Sequence, residues 1–259
     1  MLGKLLKYEF LATARVMLPL YGGAIVIALL MRLLSFLEPA GVDTYMFGAA
    51  FGMLTFIYVM SILAVVVLTI VFIIQRFYSN LFKDQGYLTH TLPISVDTLL
   101  WSKLLSAFCW TVAGIVVFTI SISLMASGFG HQFFFGFDFR QDLWQSFPFQ
   151  GGPRGLDWIL SLLHGLSSLL TSILMFYTAL SIGQLTKRAK ILIAILVYLG
   201  INFALSMISA TFLGIFWASG SAAAALSATV YFTQIFTLAQ GVGFYFITRG
   251  ILRHKLNLE

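Results

Sequence analysis

Charge is what this chain has least of. It carries fifteen Lys and Arg and nine Asp and Glu in 259 residues, 9% in all. A soluble domain carries roughly 25% charged residues, so this chain cannot cover a water-facing surface. With 60% hydrophobic residues and a mean hydropathy of +0.97, it reads as an integral membrane protein. The apolar stretches are solid rather than alternating, which excludes a membrane barrel and leaves an all-α fold. A single cysteine, Cys109, rules out any intrachain disulfide. No G-x-x-x-x-G-K-[ST] is present, which excludes ATP binding by a P-loop. No H-E-x-x-H and no Cys/His cluster with ligand spacing is present, so no metal and no cofactor are expected. The chain is not expected to be an enzyme. Its serines, as in residues 166–172, have no Asp or Glu nearby in sequence to complete a nucleophilic triad. Asp, Glu and Lys are also missing from the depth of the apolar runs, which argues against coupling to an ion gradient.

What is present is a series of apolar runs long enough to cross a bilayer, each needing about 20 residues. The first covers residues 16–37, the second lies within 44–75, the third starts at 104 and ends near 125, and the fourth covers 158–182. The first is too long for a signal-peptide core and no small-residue cleavage site follows, so it is expected to be retained. The stretch 191–248 has no Lys, Arg, Asp or Glu and suits two spans joined by a turn at 214–221 (GIFWASGS). Six transmembrane helices result.

The basic residues support that count. One face receives residues 1–15, 76–103, 183–190 and 249–259. It holds Lys4, Lys7, Arg15, Arg76, Lys83, Lys103, Lys187, Arg188, Lys190, Arg249, Arg253 and Lys255. The other holds Arg140 and Arg154, with Arg32 near it. The positive-inside rule then makes both termini cytoplasmic in a multi-pass protein of the plasma membrane. Topology and the lipid bilayer explain the net charge of +6 without nucleic acid.

Three segments lie outside the spans. Residues 1–15 form an amphipathic pattern, with Leu2, Leu5, Leu6 and Phe10 on one stripe, expected as an interfacial helix. The outer loop, residues 126–157, is crowded with Phe and Trp. It fits either a place among the outer headgroups or a cap on an exit path. His164, in the fourth span, is the candidate intramembrane titrating group; a hydrogen-bonded packing residue is the alternative.

The third segment is a polar island at residues 76–103, between two uncharged runs. Residues 76–84 are compatible with a short amphipathic helix. Gly86 breaks it, and Thr91, Leu92 and Pro93 make a turn because the proline pushes Leu92 extended. Ser95 can cap a new helix whose first turn holds Asp97, and Lys103 follows at the membrane interface. The pattern predicts a structured projection.

Three stretches carry a family resemblance: KYEF at 7–10, RFYSNLFKDQGYLTHTLPIS…LLWSKLL at 76–105, and SIGQLTKRAK at 181–190. Together they resemble the permease subunits of type-2 ATP-binding cassette exporters of Gram-positive bacteria. The resemblance follows the span layout over nearly the whole chain and is most specific at residues 86–93. It implies a permease that works as a dimer, with an identical or a sister copy, and is driven by two cytoplasmic ATPase subunits. It makes residues 77–85 a coupling helix, with Phe77, Leu81, Phe82, Lys83, Asp84, Gln85 and Tyr87 against the ATPase. Gly86, Thr91, Pro93 and Ser95 would support that helix. Gln85 departs from the family pattern, which is acidic there, and so offers no salt bridge. A non-transporting membrane protein on the same scaffold, an immunity, sensory or assembly factor, is the alternative, and an intramembrane enzyme resting on His164 and the span serines a third.

Overall fold

A computed structural model describes residues 2–35, 44–82, 95–126, 154–186, 189–219 and 222–254. These residues form six helices: α1 (Leu2–Ser35), α2 (Thr44–Phe82), α3 (Val96–Ala126), α4 (Arg154–Gln184), α5 (Lys190–Ser219) and α6 (Ala222–His254). Each is long and apolar enough to cross a membrane, which bears out the all-α reading with six spans. The apolar stretch at 191–248 does hold two of them. α5 ends at Ser219 and α6 begins at Ala222, so the junction falls within the expected 214–221, at its far end because α5 continues as helix through Gly214.

Two expected boundaries are absent. α1 runs unbroken from Leu2 to Ser35 through Pro19, so no separate interfacial helix is distinguished over residues 1–15. Its 34 residues reach about 51 Å at ~1.5 Å each, well beyond a hydrocarbon core of about 30 Å. The first part of the polar island, as far as Phe82, is likewise the end of α2 rather than an element of its own. Residues 83–94 and most of the outer loop, 127–153, lie outside the described residues.

The chain divides into two compact units. One comprises α1 from Leu6, α2 up to Ile73 and α3 from Cys109. Met17, Tyr21, Ala24, Val65 and Trp110 form a buried cluster there, and Phe10 stacks on Trp110 with centroids 4.7 Å apart. Tyr21 donates to the Trp110 carbonyl at 2.9 Å and lies 3.3 Å from Thr69 Oγ1. Gly114 leaves that path open, since a Cβ there would come within 2.9 Å of the Tyr21 hydroxyl. A second cluster holds Ala28, Met31, Phe51 and Tyr58.

The other unit comprises α4, α5 and α6 with the end of α2 from Ile74 and the start of α3 to Phe108. α4 and α6 run parallel: His164 meets Gln234 near their starts, and Thr178 meets Thr248 near their ends. α5 runs the other way, with Tyr198 near its start stacked on Phe176 near the end of α4. Phe212 and Phe216 near its end pack on Phe232 near the start of α6. α2, α4 and α6 therefore finish, and α3 and α5 begin, at one end. Arg76, Lys103, Lys190, Arg249 and Arg253 belong to that end, called the basic end below.

Sorting of side chains is inverted relative to a soluble protein. Thr171, Thr178, Ser181 and Thr248 are buried in this unit, while Ile191, Leu192, Leu199 and Phe203 of α5 face outward. Without a hydrophobic drive between helices in lipid, small and hydroxyl residues make the close contacts. Gly183 is the tightest of them: a Cβ there would lie 2.7 Å from the Lys190 carbonyl oxygen and 2.8 Å from Ala194 Cβ.

Gly183→Ala is expected to lower the melting temperature of the detergent-purified protein. The backbone clash, on the order of 1–3 kcal/mol, outweighs the gain in helix propensity of at most about 1 kcal/mol. Gly200→Ala has open space and is expected to leave that temperature unchanged or raise it. Equal melting temperatures for the two variants would refute this account of the α4–α5 contact.

Candidate functional site

The basic end is where sequence signals for function meet solved geometry. Ser95 begins α3: its carbonyl accepts the Leu99 N–H at 3.2 Å, and its Oγ accepts the Thr98 N–H at 3.3 Å. This is the N-cap that the residue type suggested. Asp97 then falls in the first helical turn, where the positive helix end favours a carboxylate.

That carboxylate is also gripped from 152 positions away in sequence. Arg249 of α6 presents a two-pronged fork to it, Nη2 donating to Oδ2 at 2.7 Å and Nε lying 2.7 Å from Oδ1. Tyr245, one turn earlier on α6, donates to Oδ1 at 2.8 Å. Trp101, one turn further along α3, packs on Tyr245 with centroids 5.8 Å apart. Both charged side chains keep about a third of their surface exposed, 35% for Arg249 and 37% for Asp97. Solvent screening limits an exposed ion pair to about 1 kcal/mol or less, though the bidentate fork adds directional strength.

The end of α2 is held as firmly by another route. Phe77 is 1% exposed and stacks face to face on Tyr177 of α4, centroids 3.9 Å apart and planes 7° apart. The Tyr177 hydroxyl points at the Lys103 carbonyl at 3.4 Å, beyond good hydrogen-bond length. Lys103, expected at the membrane interface, is instead buried within its own unit. Phe77 also departs from expectation. It faces the chain's interior, stacked on α4, and has no surface to give a partner. An amphipathic pattern marks Phe77, Leu81 and Phe82 as one apolar side but does not say what covers it.

Leu81 and Phe82 lie on the last turn of α2. Lys83, Asp84, Gln85, Gly86, Tyr87, Thr91 and Pro93 fall outside the described residues. The two ends that flank residues 83–94 are thus both built into the same unit, one through Phe77 on α4 and one through Asp97 on α6. Arg249 and Tyr245 were missed as site residues. The available signal was that a carboxylate in a chain with nine acidic residues needs a partner, but sequence could not choose among twelve basic residues on the same face.

Behind the basic end, α4 and α6 are joined by a polar seam. Thr178 donates to the Leu174 carbonyl of its own helix at 2.8 Å, lies 3.2 Å from the Phe244 carbonyl and bonds Thr248 at 2.9 Å. Thr171 donates to the Thr237 carbonyl at 3.2 Å. His164 Nδ1 meets Gln234 Oε1 at 3.1 Å, and the Gln234 amide reaches Ser167 Oγ at 3.5 Å. The geometry thus gives His164 a packing partner, Gln234. Ser168 and Ser172 donate back to carbonyls of α4. Among the described residues, no three His, Cys, Asp or Glu gather where they could hold a metal ion.

No protein-family model matches the chain, and neither a curated protein nor a solved structure does.

Phe77→Ala is expected to destabilise the protein by on the order of 3 kcal/mol, the usual cost of emptying a fully packed aromatic site. Tyr177→Phe, which keeps the stacked ring and removes the long hydroxyl contact with Lys103, is expected to cost less than about 0.5 kcal/mol. Denaturant titration of both variants in the same detergent checks the order; a Tyr177→Phe loss as large as that of Phe77→Ala would reverse the assignment.

Proposed function

We propose that this chain is the membrane-spanning permease subunit of an ATP-driven exporter. In this reading it forms the translocation path together with a second permease, identical or sister, and is powered by separate cytoplasmic ATPase subunits. The observation that carries the proposal is the double anchoring of residues 83–94. One flank stacks through Phe77 on Tyr177 of α4, and the other is clamped through Asp97 by Arg249 and Tyr245 of α6. Helix ends fixed to the transmembrane bundle can pass on a push delivered between them, whereas loose ends would absorb it. The missing P-loop and the family resemblance of residues 76–105 support the same reading.

The basic end then faces the cytoplasm, as the positive-inside rule requires. Leu81, Phe82, Lys83, Asp84, Gln85 and Tyr87 are the residues proposed to meet the ATPase, with Gly86, Thr91, Pro93 and Ser95 shaping the segment behind them. Phe77 passes from the contact set to the anchor. The N-terminal turns of α1 would lie against the inner headgroups, with the exposed Lys7 toward anionic lipid.

Co-expression with the ATPase encoded beside this chain tests the proposal. Wild type is expected to bring the ATPase down in a pull-down. Leu81→Glu/Phe82→Glu is expected to reduce recovery at least about tenfold, as two buried charges at one interface would. Wild-type protein that recruits no ATPase would move the reading to a non-transporting membrane protein, and full recruitment by the double variant would remove the docking surface.

A further inference from the structure

Four neighbouring residues of α6 make its contacts at the basic end, and they fall on two stripes. Tyr245 and Arg249, four apart, hold Asp97 of α3. Phe244 and Thr248, also four apart and each one residue earlier, hold Thr178 of α4 through a carbonyl and a hydroxyl. Residues four apart on a helix share a face, and a shift of one residue turns the face by about 100°. The same two turns of α6 therefore grip α3 on one side and α4 on the adjacent side. Thr178 and Thr248 are both fully buried, so no water can take the place of their bond.

We infer that Arg249 and Tyr245 are positioning residues that carry a displacement of the start of α3, at Asp97, into α6, and through Thr248 and Thr178 into α4. The transport role of this contact rests on the permease reading above; its structural role does not. The fork is what suits Arg249 to the task. Two parallel N–H donors on one carboxylate fix the angle between the partners as well as their distance. A lysine ammonium, a point charge on a flexible stem, fixes distance alone. Tyr245 adds a third bond on the same carboxylate, and its packing on Trp101 resists sliding of the α3 start along α6.

Two measurements test the inference on the full-length protein in nanodiscs. The first needs no ATPase. Amide exchange over residues 96–104 is expected to speed up by about twofold or less in Arg249→Lys and between about two- and fivefold in Arg249→Ala, the range for losing a partly exposed ion pair. Exchange over residues 222–235 is expected to stay as in wild type. Unchanged exchange at 96–104 in both variants overturns the positioning role whatever the chain transports.

The second uses the complex with the ATPase in a Cys109→Ser background, with a fluorophore on Ile235→Cys, an outward-facing position of α6. ATP is expected to change the signal when Arg249 is present. Arg249→Ala and Asp97→Asn are expected to keep ATPase binding and hydrolysis but lose at least half of that change, with Arg249→Lys between. A signal change of wild-type size in both Arg249→Ala and Asp97→Asn overturns the inference and leaves the permease reading standing. Failure of the wild type to bind any ATPase overturns the permease reading, and the transport role falls with it, while the exchange result still decides the structural contact.

Discussion

Within hydrocarbon no water completes a hydrogen bond, so each backbone polar group there must be satisfied within the protein, and an unpaired side-chain polar group is costly. That constraint shapes which side chains this chain buries. Thr13, Thr69 and Thr178 each donate to the carbonyl four residues earlier on their own helix. Thr178 then offers its oxygen to a second helix. Many large apolar side chains, Ile191, Leu192, Leu199 and Phe203 of α5 among them, point outward. Bonds of this kind average about 0.6 kcal/mol in membranes. The α4–α6 seam therefore draws its strength from repetition along the helices and from close backbone approach. At Gly241, for instance, a Cβ would meet Thr171 Oγ1 at 2.8 Å.

At the basic end the same constraint acts on charge. Asp97 lies in the first turn of α3 with about a third of its side chain exposed, and its carboxylate is balanced three ways: by the dipole of α3, by the Arg249 fork and by the Tyr245 hydroxyl. Arg249 lies near the close of α6, where the negative helix end favours a cation. Two helix ends of opposite polarity are thus brought side by side, each with the side chain its own dipole prefers. The pair across them follows from that placement, and neither partner need be fully desolvated to form it.

Much of the architecture was legible in the sequence because hydropathy alone reports bilayer crossing. Five apolar runs became six helices, because the uncharged stretch 191–248 resolved into two. The Ser95 cap was legible because capping is local chemistry. Helix ends were less so. α1 begins before its apolar run and α2 continues past it as far as Phe82, since backbone hydrogen bonding does not stop where hydrophobicity does. Facing was not legible either. Phe77 and Leu81 share one side of a helix by spacing, yet whether that side meets α4 or an outside partner depends on Tyr177, a hundred residues away in sequence. Arg249 was visible as one positive charge among twelve on its face, and its pairing with Asp97 is a property of how α3 and α6 come together.

The two kinds of contact made by α6 differ in what they permit. The Thr178–Thr248 bond is dry. Breaking it leaves two hydroxyls without partners in a low-dielectric interior, the expensive side of hydrogen-bond exchange. The Asp97–Arg249 fork is a third exposed, so water can take over either group as the other leaves, and its geometry can be remade at modest cost. A contact with replaceable partners can be adjusted repeatedly; one without them holds its elements together as a body. The placement of the first kind beside residues 83–94, with the second kind one residue behind it, puts the adjustable joint at the surface and the rigid one inside. The α3–α6 contact is therefore the cheaper of the two to remake, and the α4–α6 contact the costlier to break.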